Sequence, residues 1–158
     1  AHPRRDPART ALAAWRAAGG RVEAFDGLLP DVDVWVDAIY GIGLTRAPSD
    51  AVRSLIERIN ASRRPVLALD VPSGLDADTG HAPGIVVAAQ VTLSFIAPKQ
   101  GLYTGMARDV DGEVRVDRLG LPPIDTDLDP PSAWLVRDAD LSAWLAPRHA
   151  NAHKGEHG

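Results

Sequence analysis

Three short, nearly unbroken apolar runs constrain this chain more than anything else in it. They are Val32–Ile39, Pro65–Leu69 (PVLAL) and Val91–Ile96 (VTLSFI). In the first, Val34, Trp35, Val36, Ala38 and Ile39 leave almost no polar alternation, the mark of a central strand covered on both faces. Between the first two runs lies Ser49–Asn60, where Val52, Leu55, Ile56 and Ile59 fall at i, i+3, i+4 and i+7. That spacing makes one apolar stripe on a helix, with Ser49 as its cap. Strand, helix, strand at this distance requires a right-handed crossover and a parallel sheet. The expected class is therefore α/β: a three-layer α/β/α sandwich of Rossmann-like type with a mainly parallel sheet.

The other elements are weaker. Residues 6–18 read as a helix, with Asp6 as cap, Pro7 in the first turn and Gly19-Gly20 as the stop. Arg21–Phe25 alternates like a short strand, and Gly112–Leu119 like a late, exposed one. Residues 121–132, rich in Pro and Asp, read as a linker, and 138–145 as a short helix carrying Leu141, Trp144 and Leu145.

Composition removes several function classes. The 158 residues are 45% hydrophobic and 24% charged, as in ordinary globular domains, which argues against disorder, collagen and coiled coil. No apolar run is long enough for a bilayer, so no membrane partner is expected. A net charge of −4 argues against non-specific nucleic-acid binding. With no cysteine there is no disulfide, thiolate metal site or cysteine nucleophile, which suits a reducing compartment. The opening AHPRRDP lacks the apolar core of a signal peptide.

In open parallel sheets, ligands bind beyond the carboxyl ends of the strands. Two runs end alike there: apolar residues, an Asp, then a Gly-bearing turn. VWVDAIYGIGLTR places Asp37 near a strand end, Gly41 and Gly43 in the turn, and Arg46 within reach of a phosphate. VLALDVPSGLDADTG places Asp70 at a strand end, with Ser73-Gly74 just after it. If the strands are neighbours, Asp37, Asp70 and Ser73 converge. Two carboxylates and a hydroxyl are hard oxygen donors, fit for a group-I or group-II cation or a substrate hydroxyl, and poor ligands for zinc or copper. Each feature also has a plain structural reading, since an Asp after a strand caps turns and Gly-x-Gly makes them. Capping alone, however, does not need two such turns at one sheet edge.

Other motifs lose to simpler accounts. Asp76-x-Asp78-x-Gly80 resembles a calcium loop, but its Gly comes one place early and Val87 stands where the closing Glu belongs. Asp109-Val-Asp111-Gly would serve an aspartate-based phosphotransferase only at a buried strand end, and a hairpin turn into 112–119 accounts for it better. Ser73 lacks the Gly-x-Ser-x-Gly elbow and no His is placed to serve it, which argues against a serine hydrolase. His149, His153 and His157 recur every four residues, but the Asn and Gly residues among them favour a solvated tail over a helix.

VDAIYGIGLTR, LALDVPSGLDADTG, VTLSFIAPKQGLYTG and GEVRVDRLGLP, in that order over about residues 33–122, resemble the NAD(P)HX epimerase domain, the YjeF N-terminal family. DVPSGLDADTG is the most characteristic tract. The resemblance implies a Rossmann-like domain that interconverts the R and S forms of hydrated NADH and NADPH with a bound potassium ion. It also implies roles: Asp37 and Ser73 as potassium ligands, and Gly41, Ile42, Gly43, Leu44, Thr45, Arg46 and Ala47 as the loop that binds the hydrated nucleotide. Asp70 becomes the substrate contact and catalytic residue. The 15 Arg against 2 Lys and the frequent Ala suit a GC-rich bacterial genome, so a bacterial cytoplasmic location is expected, with room for a homo-oligomer.

The family opens with a helix, a strand and an Asn-Asn-Gly-Gly-Asp phosphate loop that also gives an Asn to the potassium. That motif does not occur here, so the expectation is a domain truncated at its amino end. RHANAHKGEHG, through Lys154, Gly155 and Gly158, resembles the opening of an ADP- or ATP-dependent NAD(P)HX dehydratase domain. The expected organisation is a partial epimerase domain over 1–122, a connection over 123–148 and the start of a dehydratase over 149–158, within a bifunctional enzyme. The competing reading is a non-catalytic nucleotide-binding or protein-interaction module that keeps the fold.

Overall fold

The sheet forms where apolar segments find neighbours, and it is shorter than the sequence runs. The computed structural model describes residues 6–44, 46–124 and 130–144. Strand β1 (Trp35–Asp37), β2 (Val66–Leu69), β3 (Val91–Phe95) and β4 (Glu113–Asp117) lie in the order β1-β2-β3-β4, and every pair is parallel. Helix α2 (Asp50–Ala61) makes the β1-to-β2 crossover. The α/β class and the parallel sheet expected from the sequence are both present.

The ladder pairs Trp35 with Val66, Asp37 with Ala68, Ala68 with Thr92 and Thr92 with Val114. Paired residues share a face, so these side chains form one surface. It is the buried one: Asp37, Val66, Ala68, Thr92 and Ser94 are all nearly inaccessible. Ile56 and Ile59 of α2 pack on it with Val66 and Val87, joined by Trp35, Ile39, Val52 and Leu55. Burying each of those isoleucines contributes about 1.5–3 kcal/mol. A second cluster, Val71, Leu75, Ala77, Val86, Leu102 and Ala107, belongs to the loops after β2 and β3, and Val114 of β4 packs against it. The opposite face carries Val36, Leu67, Leu69, Val91 and Leu93, none of them fully buried. Val36 is 56% exposed, so β1 is not covered on both sides.

Two further sequence expectations need correction. Arg21–Phe25 is not a strand. Strands exist only in pairs, and these residues have no ladder partner among the described residues; Val22 and Phe25 are exposed. The Asp109–Gly112 turn is not a hairpin, because β3 and β4 run parallel. Two 3₁₀ turns, Gln100–Leu102 and Ala107–Asp109, carry the chain back by burying Leu102 and Ala107. Gly112 closes this return with φ +61° and a backbone so near Gln90 that a Cβ would lie 2.2 Å from its carbonyl oxygen.

Helix α1 (Pro7–Ala17) forms as expected. Asp6 Oδ1 accepts from the N–H groups of Ala8 and Arg9 at 3.1 and 3.3 Å, and Pro7 opens the first turn. It buries none of its residues. Trp15 remains 56% exposed and folds back locally, its indole N–H donating to the Arg21 carbonyl at 3.0 Å. A short helix α3 spans Asp138–Trp144. Thr45 and the histidines 149, 153 and 157 lie outside the described residues.

Candidate functional site

Because β1, β2 and β3 are parallel and adjacent, their carboxyl ends share one rim. Asp37 is the last residue of β1, Asp70 the first after β2, and Ile96 the first after β3. The site residues named from the sequence gather here.

Asp37 and Ser73 meet directly. The Ser73 hydroxyl donates to Asp37 Oδ1 at 2.6 Å and its backbone N–H to Oδ2 at 2.7 Å. The Ile39 N–H reaches Oδ1 at 3.3 Å, and Ser73 Oγ in turn accepts from the Tyr40 N–H at 2.9 Å. Asp37 is 3% exposed and Ser73 fully buried. A buried carboxylate persists only with such charge-assisted bonds. Here they tie the end of β1 to the turn after β2.

Asp70 is arranged differently. It adopts φ +73°, an unusual backbone for a non-glycine residue, and is only part-buried. Its Oδ1 accepts from Lys99 Nζ at 2.5 Å and from the Phe95 N–H at 3.4 Å. Lys99 Nζ also donates to the Phe95 carbonyl at 2.6 Å. Oδ2 takes no hydrogen bond among the described residues and faces Gly41, where a Cβ would come within 3.2 Å of it. Gly41 thus lets the first glycine loop approach the second aspartate.

Loop 41–47 is exposed along most of its length: Ile42 is 67% exposed, and Gly43, Arg46 and Ala47 are open. Arg46 has no ion pair among the described residues. At its far end the loop rests on Gly84, beside Ala47 and Pro48.

Lys99 is the site residue that sequence reasoning passed over. It stands within IAPKQG, beyond the strand and far from either aspartate in the chain. One signal was available: it is one of only two lysines in a chain that otherwise uses arginine. An ammonium is a compact charge able to serve a carboxylate and a carbonyl together, where a guanidinium needs a wider fork.

The set-aside motifs stay outside this rim. Asp76 Oδ1 accepts from Asp78 N–H, Thr79 N–H and the Thr79 hydroxyl, so its carboxylate holds a turn, and the Thr79 hydroxyl lowers its pKa first among several hydrogen bonds. Asp109 is exposed. Asp111 is buried, its Oδ2 has no partner among the described residues, and desolvation pushes its carboxyl up against the pull of Arg108. It precedes β4, at the amino end of the sheet, where a strand-end phosphoacceptor does not sit.

Two hollows also lie elsewhere. One of about 570 Å³ is lined by Leu28, Pro30, Trp35, Arg58, Ser62 and Arg64, and one of about 400 Å³ by Asn60, Arg63, Val66 and Gln90 among others. Both lie at the amino ends of β1 and β2. Neither hollow gathers the carboxylates, glycines and lysine that converge at the rim, and chemistry follows the groups. Among the described residues no three or more His, Cys, Asp or Glu side chains cluster as a metal site, and no helix is long and apolar enough to cross a membrane.

A parallel sheet with polar side chains and a glycine loop at its carboxyl rim defines an α/β domain of the Rossmann-like class. Comparison with known proteins then fixes the family. The chain belongs to the family described as YjeF-related protein N-terminus, whose model matches residues 1–101. It is 43% identical over 164 aligned positions to the bifunctional NAD(P)H-hydrate repair enzyme Nnr of Escherichia coli (strain K12), covering 96% of this chain and 30% of that protein. The Vibrio cholerae protein of the same name is 40% identical, covering 96% of this chain and 31% of its own length. A bifunctional NAD(P)H-hydrate repair enzyme of Leishmania braziliensis is 37% identical over 90% of this chain and 25% of its own length. The chain therefore spans less than a third of these relatives.

Proposed function

We propose that this chain carries the epimerase step of NAD(P)H-hydrate repair, interconverting the R and S forms of hydrated NADH and NADPH. The single observation that supports it most is Asp70: one oxygen is held by Lys99, and the other faces the glycine loop without a partner among the described residues. That is the posture of a carboxylate kept for a substrate proton. The names of the relatives supply the substrate class, and the family membership supplies the domain.

In this reading the nucleotide lies along loop 41–47, from Gly41 to Ala47. Gly41 and Gly43 allow close approach of backbone N–H groups, and the exposed Arg46 guanidinium pairs with a phosphate. The hydrated nicotinamide ring sits over Asp70, whose Oδ2 acts as general base or acid at the C6 hydroxyl.

The donors at Asp37 and Ser73 fit a potassium ion: both are hard oxygens, and Asp37 Oδ2, with its one hydrogen bond, keeps lone-pair capacity for a cation. Asp37 and Ser73 would hold the ion, which when bound would supply positive charge to offset that of the nucleotide phosphates. Asp37 and Ser73 also fix the turn that carries Asp70, whichever ion is present.

The test uses the protein at its full natural length, with the two hydrated NADPH epimers separated chromatographically. Interconversion faster than the spontaneous reaction is expected, along with its loss in Asp70→Asn. Nucleotide binding without interconversion would replace this reading by a non-catalytic binding module.

A further inference from the structure

The strands flanking Asp70 both end in a strained residue. Asp70 follows β2 with φ +73°, and Ile96 follows β3 with φ +70°. Left-handed backbone is uncommon for any non-glycine residue and an outlier for a β-branched one. Such strain persists only where surrounding structure enforces it, and it gathers at functional sites. These two outliers share one rim, and among the interactions that join the segments they begin is Lys99 Nζ to Asp70 Oδ1 at 2.5 Å.

The bend at Ile96 turns the chain back, so that Lys99, four residues beyond Phe95, donates to the Phe95 carbonyl at 2.6 Å while also holding Asp70. The Phe95 N–H adds a weaker contact to the same oxygen at 3.4 Å. Both side chains of the pair are more than three-quarters buried, at 17% and 20% exposure. The carboxylate is therefore clamped by one oxygen only. With Oδ1 occupied, rotation about its terminal bond is blocked, and Oδ2 stays directed at Gly41 and the loop beyond it.

We infer that Lys99 is a positioning residue for Asp70: it fixes Oδ1 so that Oδ2 alone is presented to the substrate. This rests on the epimerase reading above. Lys99 acts through Asp70, so its value to the reaction depends on Asp70 being present. Misplacing a catalytic group by about 1 Å costs on the order of 10²-fold in rate.

The experiment is a double-mutant cycle in the protein at full natural length. Lys99→Met removes the charge at similar volume, and Lys99→Arg restores a cation. Hydrated NADPH is the substrate, and thermal unfolding accompanies each variant. Lys99→Met is expected to lower kcat about 10²-fold while KM changes less than about threefold, and Lys99→Arg to recover part of that loss. In an Asp70→Asn background, Lys99→Met should add almost nothing, because the group it positions is gone. Full additivity of the two substitutions would overturn the inference, as would a Lys99→Met variant with native kcat. If Lys99→Met does not fold, Lys99→Arg and Lys99→Gln complete the same cycle. Failure of the epimerase reading looks different: the native protein itself would not interconvert the epimers. In that event the side-chain carboxyl ¹³C resonance of Asp70 still decides on the clamp. A resonance unchanged between native protein and Lys99→Met would overturn the pairing, and a displaced one would support it.

Discussion

The ends of β1 and β2 begin from the same sequence pattern and reach opposite chemistry. Each is an apolar run, an aspartate and a glycine-bearing turn. At the end of β1, Asp37 is buried, with both oxygens bonded inside the protein, and it works as a brace. At the end of β2, Asp70 is part-buried, and Lys99 clamps one oxygen while the other faces the loop. A strand-end aspartate thus has both oxygens bonded, or keeps one without a partner among the described residues, according to how many donors its neighbours supply. Ser73 supplies two to Asp37, and Asp70 lies three residues before it on the same turn.

The sharpest way to break this comparison is Asp70→Asn, which keeps shape and removes the ionisable oxygen. Epimerisation should fall about 10²- to 10⁴-fold, or about 3–5 kcal/mol of transition-state stabilisation, with the melting temperature little changed. If rate and nucleotide affinity fall together, Asp70 is a substrate contact and the proton is handled elsewhere.

Asp37→Ala should show the converse. It leaves the buried Ser73 hydroxyl and N–H without their acceptor, at a cost of about 2–4 kcal/mol in stability. Chemical denaturation of native and variant protein measures this, and an unchanged midpoint would mean that the brace is dispensable. Ser73→Ala, which keeps the backbone bond to Oδ2, should cost less than half as much.

Gly41→Ala addresses the meeting point of the two ends. The new methyl would sit 3.2 Å from Asp70 Oδ2, and relieving that contact moves one group by a few tenths of an ångström. Scaling from the cost of larger misplacements, kcat should fall roughly three- to tenfold without loss of stability. A native rate would show that the loop and Asp70 do not work together.

The smallest effect sets both rim aspartates against Asp111, a buried carboxylate whose Oδ2 has no partner among the described residues. Burial raises its pKa, so the folded state holds its proton more tightly than the unfolded chain does. Its stabilising contribution is complete below the ordinary carboxylate range and is lost as pH rises through the elevated folded value. Asp111→Asn should therefore melt above native at neutral pH, with the advantage shrinking as pH falls toward about 4. Melting curves at several pH values check this, and a constant offset would assign the effect to packing alone.

How legible the molecule was varies with the range of the interactions involved. The α2 helix lay open in Val52, Leu55, Ile56 and Ile59, since helical periodicity is local and only one face was needed. The strand cores at Leu67 and Leu93 were equally plain. Arg21–Phe25 misled because alternation is necessary for a strand and pairing is what makes one. The parallel course of β4 was hidden because nothing in Asp109–Gly112 records that Leu102 and Ala107 would be buried on the way back. Asp37 and Ser73 could be placed together from topology alone, whereas Lys99 could not, since its partner is 29 residues away across a turn bent at Ile96.

The sequence by itself determined the α/β class, the parallel crossover through α2 and which rim gathers the candidate site residues, because apolar periodicity and strand-end glycines act over a few residues. Only the tertiary structure decided which aspartate has both oxygens bonded and which keeps one without a partner among the described residues. That depends on the donors that distant segments bring within about 3 Å, and hydrogen bonds of that length leave no periodic trace in the chain.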